Sequence, residues 1–392
     1  MDVYLSAEEA AAILDISKPT LYAYVSRGLI RSLQGKDSRS RLYNRLDIDQ
    51  LKARKRIRSR PQSEVQSTLL WGAPILDSAL TLIANENLYY RGANALDLAR
   101  THSFWEVACW FWTGSWDSCF VASGPVHHWH KSGSDPFQTL KSWLSDLSST
   151  DPAGYHLQFP ALGSTGAAIV RQFLAILTRK QNPELRRAAG ELQECWCRSR
   201  PGAQRILNAV LILTLDHELN VSSFTARVVT SAGSNIYEIV SAAMCAFSGS
   251  RHGRASTRAE LLLRQLLGGS VRQLIYSLLR SGEEISGFGH PAYPGGDPRA
   301  KLIFQLLKEE YPDGYSKICR VIAQSERTLQ RFANLDMALA AAGSVLGLPS
   351  QAGFHLFALG RLAGWIGHAA EQNSSQTVIR PRARYIGVMP KT

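Results

Sequence analysis

Apolar residues at Phe104, Val107, Ala108 and Phe111, and again at Ile169, Phe173, Leu174 and Leu177, recur at three- and four-residue spacing. That period gathers them on one face of a helix. Alternation at every second residue is scarce, and the helical stretches are separated by turns rich in Gly, Pro and Ser, so the pattern predicts a layered all-α body. The front of the chain reads differently. Between Leu5 and Leu29, Ser6 is placed to cap a helix from Ala7 to Leu14, and Ser17-Lys18-Pro19 to open a second one through Val25, with Gly28 ending it. Arg31 to Tyr43 then reads as a polar hairpin or wing carrying Lys36, Arg39 and Arg41, and Leu46 to Leu51 begins another helix. The order is that of a winged helix-turn-helix, with Lys18, Thr20, Tyr22, Tyr24 and Arg27 on or beside its second helix. A helical hairpin docked on the main body is the plainer alternative.

Charge sharpens the division. Of a formal net charge of +12, the first 60 residues carry +6, half the excess in a small part of the chain, which suits a module facing nucleic acid. Lys52 to Arg60 holds six basic residues and no acidic one before Pro61-Gln62-Ser63, a linker by composition. The rest of the excess is spread thinly and suits anionic substrates. At 392 residues the chain is long enough for two or three domains. Its start lacks a basic and apolar leader, and no uninterrupted apolar run reaches membrane-spanning length, so a cytoplasmic address and no membrane partner are expected. The cysteines, Cys109, Cys119, Cys195, Cys197, Cys245 and Cys319, contain no C-x-x-C pair and are expected to be mostly buried, inert thiols. His127-His128-Trp129-His130 could bind a metal, but no carboxylate lies nearby at ligand spacing, and a solvated loop is the better reading. No metal site is expected.

Four segments carry candidate chemistry. Gly287-Phe288-Gly289-His290 sets an imidazole after a glycine-rich loop, and Asp297-Pro298 starts a helix that projects Arg299, an arrangement suited to a small dianionic acid. Asp216-His217-Glu218-Leu219-Asn220 is expected to be helical, so that His217 and Asn220 share a face. Ser248 to Gly253 presents His252 on a loop, where Arg251 and Arg254 should depress its pKa and keep a neutral hydrogen-bond donor. Asn334-Leu335-Asp336 opens an Ala-rich helix, and Asp336 in its first turn should stay ionised as a general base.

With Leu88-Tyr89-Tyr90-Arg91-Gly92 and Arg380-Pro381-Arg382 before Tyr385-Ile386-Gly387, these segments resemble, in order, the citrate synthase family over about residues 65 to 388. Residues 4 to 55 resemble the MerR-like winged helix family. The resemblance implies an all-α, two-domain dimer behind a winged helix-turn-helix: residues 1–56, a basic linker at 57–66, a large domain at 67–251 with 343–392, and a small one at 252–342. It implies condensation of acetyl-CoA with oxaloacetate and water to citrate and CoA, with no further cofactor. Asp336 matches the base, His252 the donor to the enolate oxygen, and His290 with Arg299 the groups that bind and polarise oxaloacetate. His217, Arg361 and Arg380 match further oxaloacetate positions, the last acting across the homodimer interface, and Asn220 is placed beside His217. Gly287, Phe288, Gly289 and Asn334 match positions near CoA.

Two departures stand out. The family commonly has glycine and asparagine where this chain has Arg254 and Ser256, and bacterial relatives often carry lysine where it has Pro294. Arg254 could crowd the loop or bind a CoA phosphate. Two other functions fit the same motifs: a 2-methylcitrate synthase using propionyl-CoA, and a catalytically weak DNA-binding sensor of citrate or acyl-CoA.

Overall fold

The computed structural model describes residues 4–27, 29–34, 41–45, 47–48, 51, 76–122, 135–383 and 385–388. The chain divides into two compact units, Met1–Ser78 and Ala79–Thr392. Lys36, Arg39, Gly28, the basic linker and the cluster from His127 to His130 lie outside the described residues.

In the first unit, Ser6 caps α1 (Ala7–Leu14) through a reciprocal bond pattern with Glu9, and Ser17 caps α2 (Lys18–Ser26), as their sequence positions predict. Strands β1 (Tyr4–Leu5), β2 (Ser32–Gln34) and β3 (Arg41–Asn44) form an antiparallel sheet in the order β1-β3-β2. Leu5, Leu14, Leu21, Ile30, Tyr43 and Ile48 close a small core between helices and sheet. Lys18 is tied to Glu8 at 2.6 Å, whereas Tyr22 on α2 is exposed.

The second unit opens with an antiparallel meander, β4 (Thr81–Ala84), β5 (Asn87–Tyr90) and β6 (Ala93–Asn94), that alternation had not announced. Helices follow: α3 (Ala95–Thr101), α4 (Phe104–Thr113), α5 (Pro136–Thr150), α6 (Ala161–Thr178), α7 (Ala188–Trp196) and α8 (Ala203–Thr214). Then come α9 (Val221–Ser231), α10 (Ile236–Phe247), α11 (Arg254–Gly268) and α12 (Val271–Arg280). The last are α13 (Pro298–Glu310), α14 (Pro312–Leu329), α15 (Leu335–Leu346) and α16 (Ala352–Ser375). One continuous core joins them.

The middle of α16 is buried on every side and, Arg361 apart, apolar on every side, as a helix at the centre of a body must be. Gly360 and Gly364 let it approach α8 closely: a Cβ at Gly360 would lie 2.2 Å from Thr214 Oγ1, and one at Gly364 2.2 Å from the Leu215 carbonyl oxygen. That approach sets Arg361 and Trp365 against the end of α8. α6 is long and apolar enough to cross a membrane, but 78% of it is buried inside the body. The expectation of mostly buried thiols fails: Cys109 and Cys197 are buried, whereas Cys119, Cys195, Cys245 and Cys319 are exposed.

Candidate active site

Asp216 to Asn220 is not helical. The chain leaves α8 at Thr214, Glu218 takes a left-handed conformation (φ 50°), and Asn220 caps α9, so His217 and Asn220 do not share a helix face. Asn220 Oδ1 accepts from the Ser223 amide at 3.2 Å and its Nδ2 donates to Ser223 Oγ at 2.9 Å. Its polar atoms hold the turn, with Nδ2 also 3.5 Å from the His217 carbonyl and 3.3 Å from that of Glu218. The buried carboxylate of Asp216 accepts from Thr81 Oγ1 at 2.6 Å and Ser223 Oγ at 3.0 Å, and lies 3.1 Å from His368 Nε2. Burial pushes this carboxyl up, but His368 and Arg361 outweigh it and hold the group below the usual range.

His217 is buried, and its Nε2 is hydrogen-bonded to the Tyr293 hydroxyl at 2.9 Å. Its ring meets that of His290 edge to face with centroids 5.0 Å apart, and His290 lies 5.0 Å from Tyr293. Burial, with Arg299 second, pushes His290 down to about 4; burial and Arg299 also drive His217 well below its ordinary value. Both rings are therefore neutral at pH 7. His290 Nδ1 accepts from the Ala292 amide at 3.2 Å, which leaves the ring proton on Nε2.

Asp297 caps α13 with Pro298 at its first position, as its sequence predicts. The buried Arg299 also turns back onto that cap: Nε donates to Asp297 Oδ1 at 2.9 Å and Nη2 to Oδ2 at 2.8 Å. One fork of the guanidinium is therefore filled from within, and Nη1 is the nitrogen without a hydrogen-bond partner among the described residues. The Asp297 carboxylate also accepts from the Leu335 amide at 3.1 Å, which joins the starts of α13 and α15. The Gly287 to Gly289 loop runs beside the same start. Asn334 N donates to the Gly287 carbonyl at 2.9 Å, Gly289 N to that of Phe332 at 2.7 Å, and Asn334 Nδ2 to that of Gly289 at 3.0 Å. Gly287 is left-handed (φ 91°), and a Cβ there would sit 2.8 Å from Met337 Cε. Phe288 points into the core.

Asn334 caps α15 and sets Asp336 in its first turn, as expected. The expectation that Asp336 stays ionised needs correction. Burial raises its carboxyl to about 7, against the pull of Arg299 and Arg258. A helix terminus does not replace lost water when no donor among the described residues reaches the carboxylate.

His252 sits on the turn between α10 and α11, edge to face with Phe247 at 5.2 Å. Its Nε2 is 2.8 Å from Ser222 Oγ, a hydroxyl that also donates to Asn220 Oδ1 at 2.8 Å and accepts from Trp365 Nε1 at 3.1 Å. Burial, then Arg361, lowers His252 to about 3. The expected neutral ring is present, but its neighbours Arg251 and Arg254 are not the cause. Arg251 is exposed, and Arg254 turns away to Gln351 and Asp135.

Arg361 is 1% exposed, donates from Nε to the Thr214 carbonyl at 2.9 Å, and forms no ion pair among the described residues. Its Nη1 is buried without a partner, and burial lowers the group to about 10. Arg299 acts electrostatically on Asp336, His290 and His217, and Arg361 on His217 and His252. Six remote positions thus share one field. Arg380 lies exposed on the segment after α16 and does not join them within this chain. Among the described residues no group of three or more His, Cys, Asp or Glu is placed to hold a metal ion. Sequence reasoning missed Ser222, Tyr293 and Trp365. Their roles arise from contacts across 30 to 143 positions and leave no local signal.

Residues 69–382 match the family model "Citrate synthase, C-terminal domain". The chain belongs to the citrate synthase family. A helix-turn-helix domain model matches residues 4–56, a coarser statement than the MerR-like reading. Among curated relatives, the 2-methylcitrate synthase of Shewanella oneidensis is 33% identical over 195 residues, 48% of this chain and 52% of the relative. Citrate synthase 2 of Bacillus subtilis is 37% identical over 190 residues, 46% of this chain and 50% of the relative. The chain thus spans about half the length of these two curated relatives. The citrate synthase of Thermoplasma acidophilum, solved as a ternary complex with carboxymethyl coenzyme A and oxaloacetate, superposes with a TM-score of 0.67 at 20% identity, covering 81% of this chain and 95% of that one. That likeness shows the citrate synthase fold behind the amino-terminal helix-turn-helix.

Proposed function

We propose that the protein condenses acetyl-CoA with oxaloacetate and water to give citrate and CoA. The observation that carries this reading is Arg361, a guanidinium 1% exposed that among the described residues has no ion pair and an unpartnered Nη1, beside a second arginine whose Nη1 has no hydrogen-bond partner among them. Asp216 acts on this buried cation only at longer range, and an arriving carboxylate supplies the direct partner that it lacks. Arg361 and the open edge of Arg299 hold the two carboxylates of oxaloacetate, with His217 alongside, and His290 Nε2–H polarises the ketone. In the reacting complex the Ser222 hydroxyl turns its one hydrogen from Asn220 Oδ1 to His252 Nε2, so that Nδ1–H donates to the thioester oxygen. Asp336 takes the methyl proton, and the carbanion-like carbon attacks the polarised ketone. Water then cleaves the citryl thioester. Gly287, Gly289 and Asn334 border the CoA moiety, with Phe288 supporting the loop from the core. Residues 252–342 close as a small domain over the remainder, and Arg380 completes the site of a partner copy in a homodimer.

Propionyl-CoA is the competing substrate, because a relative of each kind is similar to this chain, and one methylene changes selectivity only about 10- to 200-fold. The basic amino-terminal unit favours a second role, weak and largely non-specific DNA binding. The test is CoA thiol release with oxaloacetate and each acyl-CoA. Turnover preferring acetyl-CoA and lost in Asp336→Ala supports the synthase. A clear preference for propionyl-CoA assigns the 2-methylcitrate reaction, and no turnover alongside salt-sensitive DNA binding assigns a sensor.

A further inference from the structure

Arg254 begins α11 two residues beyond His252. Its Nη1 donates to Gln351 Oε1 at 2.5 Å, its Nη2 lies 3.7 Å from Asp135 Oδ2, and its guanidinium carbon stands 4.3 Å above the centroid of the Phe354 ring. Each partner is itself fixed. Asp135 caps α5 through the Phe137 amide at 3.1 Å and lies 3.4 Å from His355 Nε2. Gln351, left-handed at φ 63°, donates its amide to Glu260 Oε2 at 3.0 Å. Phe354 packs 4.9 Å from Phe137 and 5.3 Å from Phe247, and Phe247 is the ring that His252 meets at 5.2 Å. A continuous line of contact thus runs from the arginine to the imidazole.

We propose that Arg254 is a positioning residue: it latches the turn that carries His252 onto the start of α16 and the cap of α5, and it does not bind a substrate phosphate. Two edges of its planar fork are engaged and one face is stacked, which leaves it poorly placed to swing toward a ligand. The turn needs such an anchor. It is short and glycine-rich, and Gly253 sits so close over Phe247 that a Cβ there would lie 2.4 Å from the ring. A small drift would part His252 Nε2 from Ser222 and admit water to the ring. The charged group facing His252 is Arg361 on α16; Ser222, Phe247 and Phe357 around it are uncharged.

The inference rests on the synthase reading for its kinetic readout, so the test adds one that does not. Full-length Arg254→Gly, Arg254→Lys and Asp135→Asn, which keeps an oxygen to cap α5, are compared with the wild type for kcat, KM and the NMR titration of the His252 imidazole. Arg254→Gly is expected to lose about 10- to 100-fold in kcat, with KM for both substrates within about twofold. Arg254→Lys, which keeps the charge but not the fork, recovers part of it, and Asp135→Asn falls between. The His252 ring, neutral in the wild type at about pH 5, titrates nearer 6.5 in Arg254→Gly. An unchanged titration overturns the latch, as does an unchanged kcat with a raised KM for acyl-CoA, the signature of a phosphate contact. A wild type without turnover overturns the synthase reading, and the titration still judges the latch. If Arg254→Gly does not fold, the other two variants carry the same measurements.

Discussion

Asp336 at about 7 suits the base that the proposed reaction calls for, and the same burial is a load on the fold. Its folded pKa lies above its unfolded value, so the native state binds the extra proton between about pH 4 and 7, and the cost of ionisation is complete above that window. Asp336→Asn is therefore expected to lower kcat by about a thousandfold or more while raising Tm at pH 8, with a smaller gain at pH 5. Thiol release and thermal melts at the two pH values check both halves. Wild-type kcat/KM should rise with pH through about 7. The residues legible beforehand are those whose partners are local: Ser6, Asp297 and Asn334 each cap a helix within three positions of the amide they accept. Asn220 was misread because spacing of three implies a shared face only inside a helix, and the chain has left α8 by then. The direction of Arg254 was not readable because its partners lie 97 and 119 positions away.

At the scale of elements, the contact of α16 with α8 decides where Arg361 stands. Gly364→Ala would place a methyl 2.2 Å from the Leu215 carbonyl oxygen, backbone that cannot rotate aside. A loss of about 3 kcal/mol or more is expected and, on the proposed reading, weaker oxaloacetate binding as Arg361 is displaced. Gly343→Ala on α15 is the control. A Cβ there meets nothing within 4 Å, so the exchange should be neutral or gain about 0.5–1 kcal/mol. Urea melts compare the two. The helices themselves were legible in the three-and-four spacing. The β4–β6 meander was not, because its strands are only two to four residues long, too short for alternation to register.

For the whole molecule, three imidazoles held neutral by burial set the acid limit. His217, His252 and His290 all have folded values below 6.5, so the unfolded chain binds more protons than the native one as pH falls through that value. The contribution of these rings is expected to be full above about pH 7 and to fall toward pH 5, by on the order of 1–2 kcal/mol for each ring, opposite in sign to that of Asp336. His290→Gln should reduce the drop in Tm between those values. The two-unit division was foreshadowed by the uneven charge, since half the formal excess lies in the first 60 residues. The carboxylate of Asp297 has a consequence of its own. It grips Arg299 with both oxygens and, through one of them, the amide of Leu335, the residue before Asp336. On the proposed reading, a dicarboxylate seated on the open edge of Arg299 shares that guanidinium with Asp297, so the arrival of one reactant is felt, one peptide away, at the group proposed to activate the other.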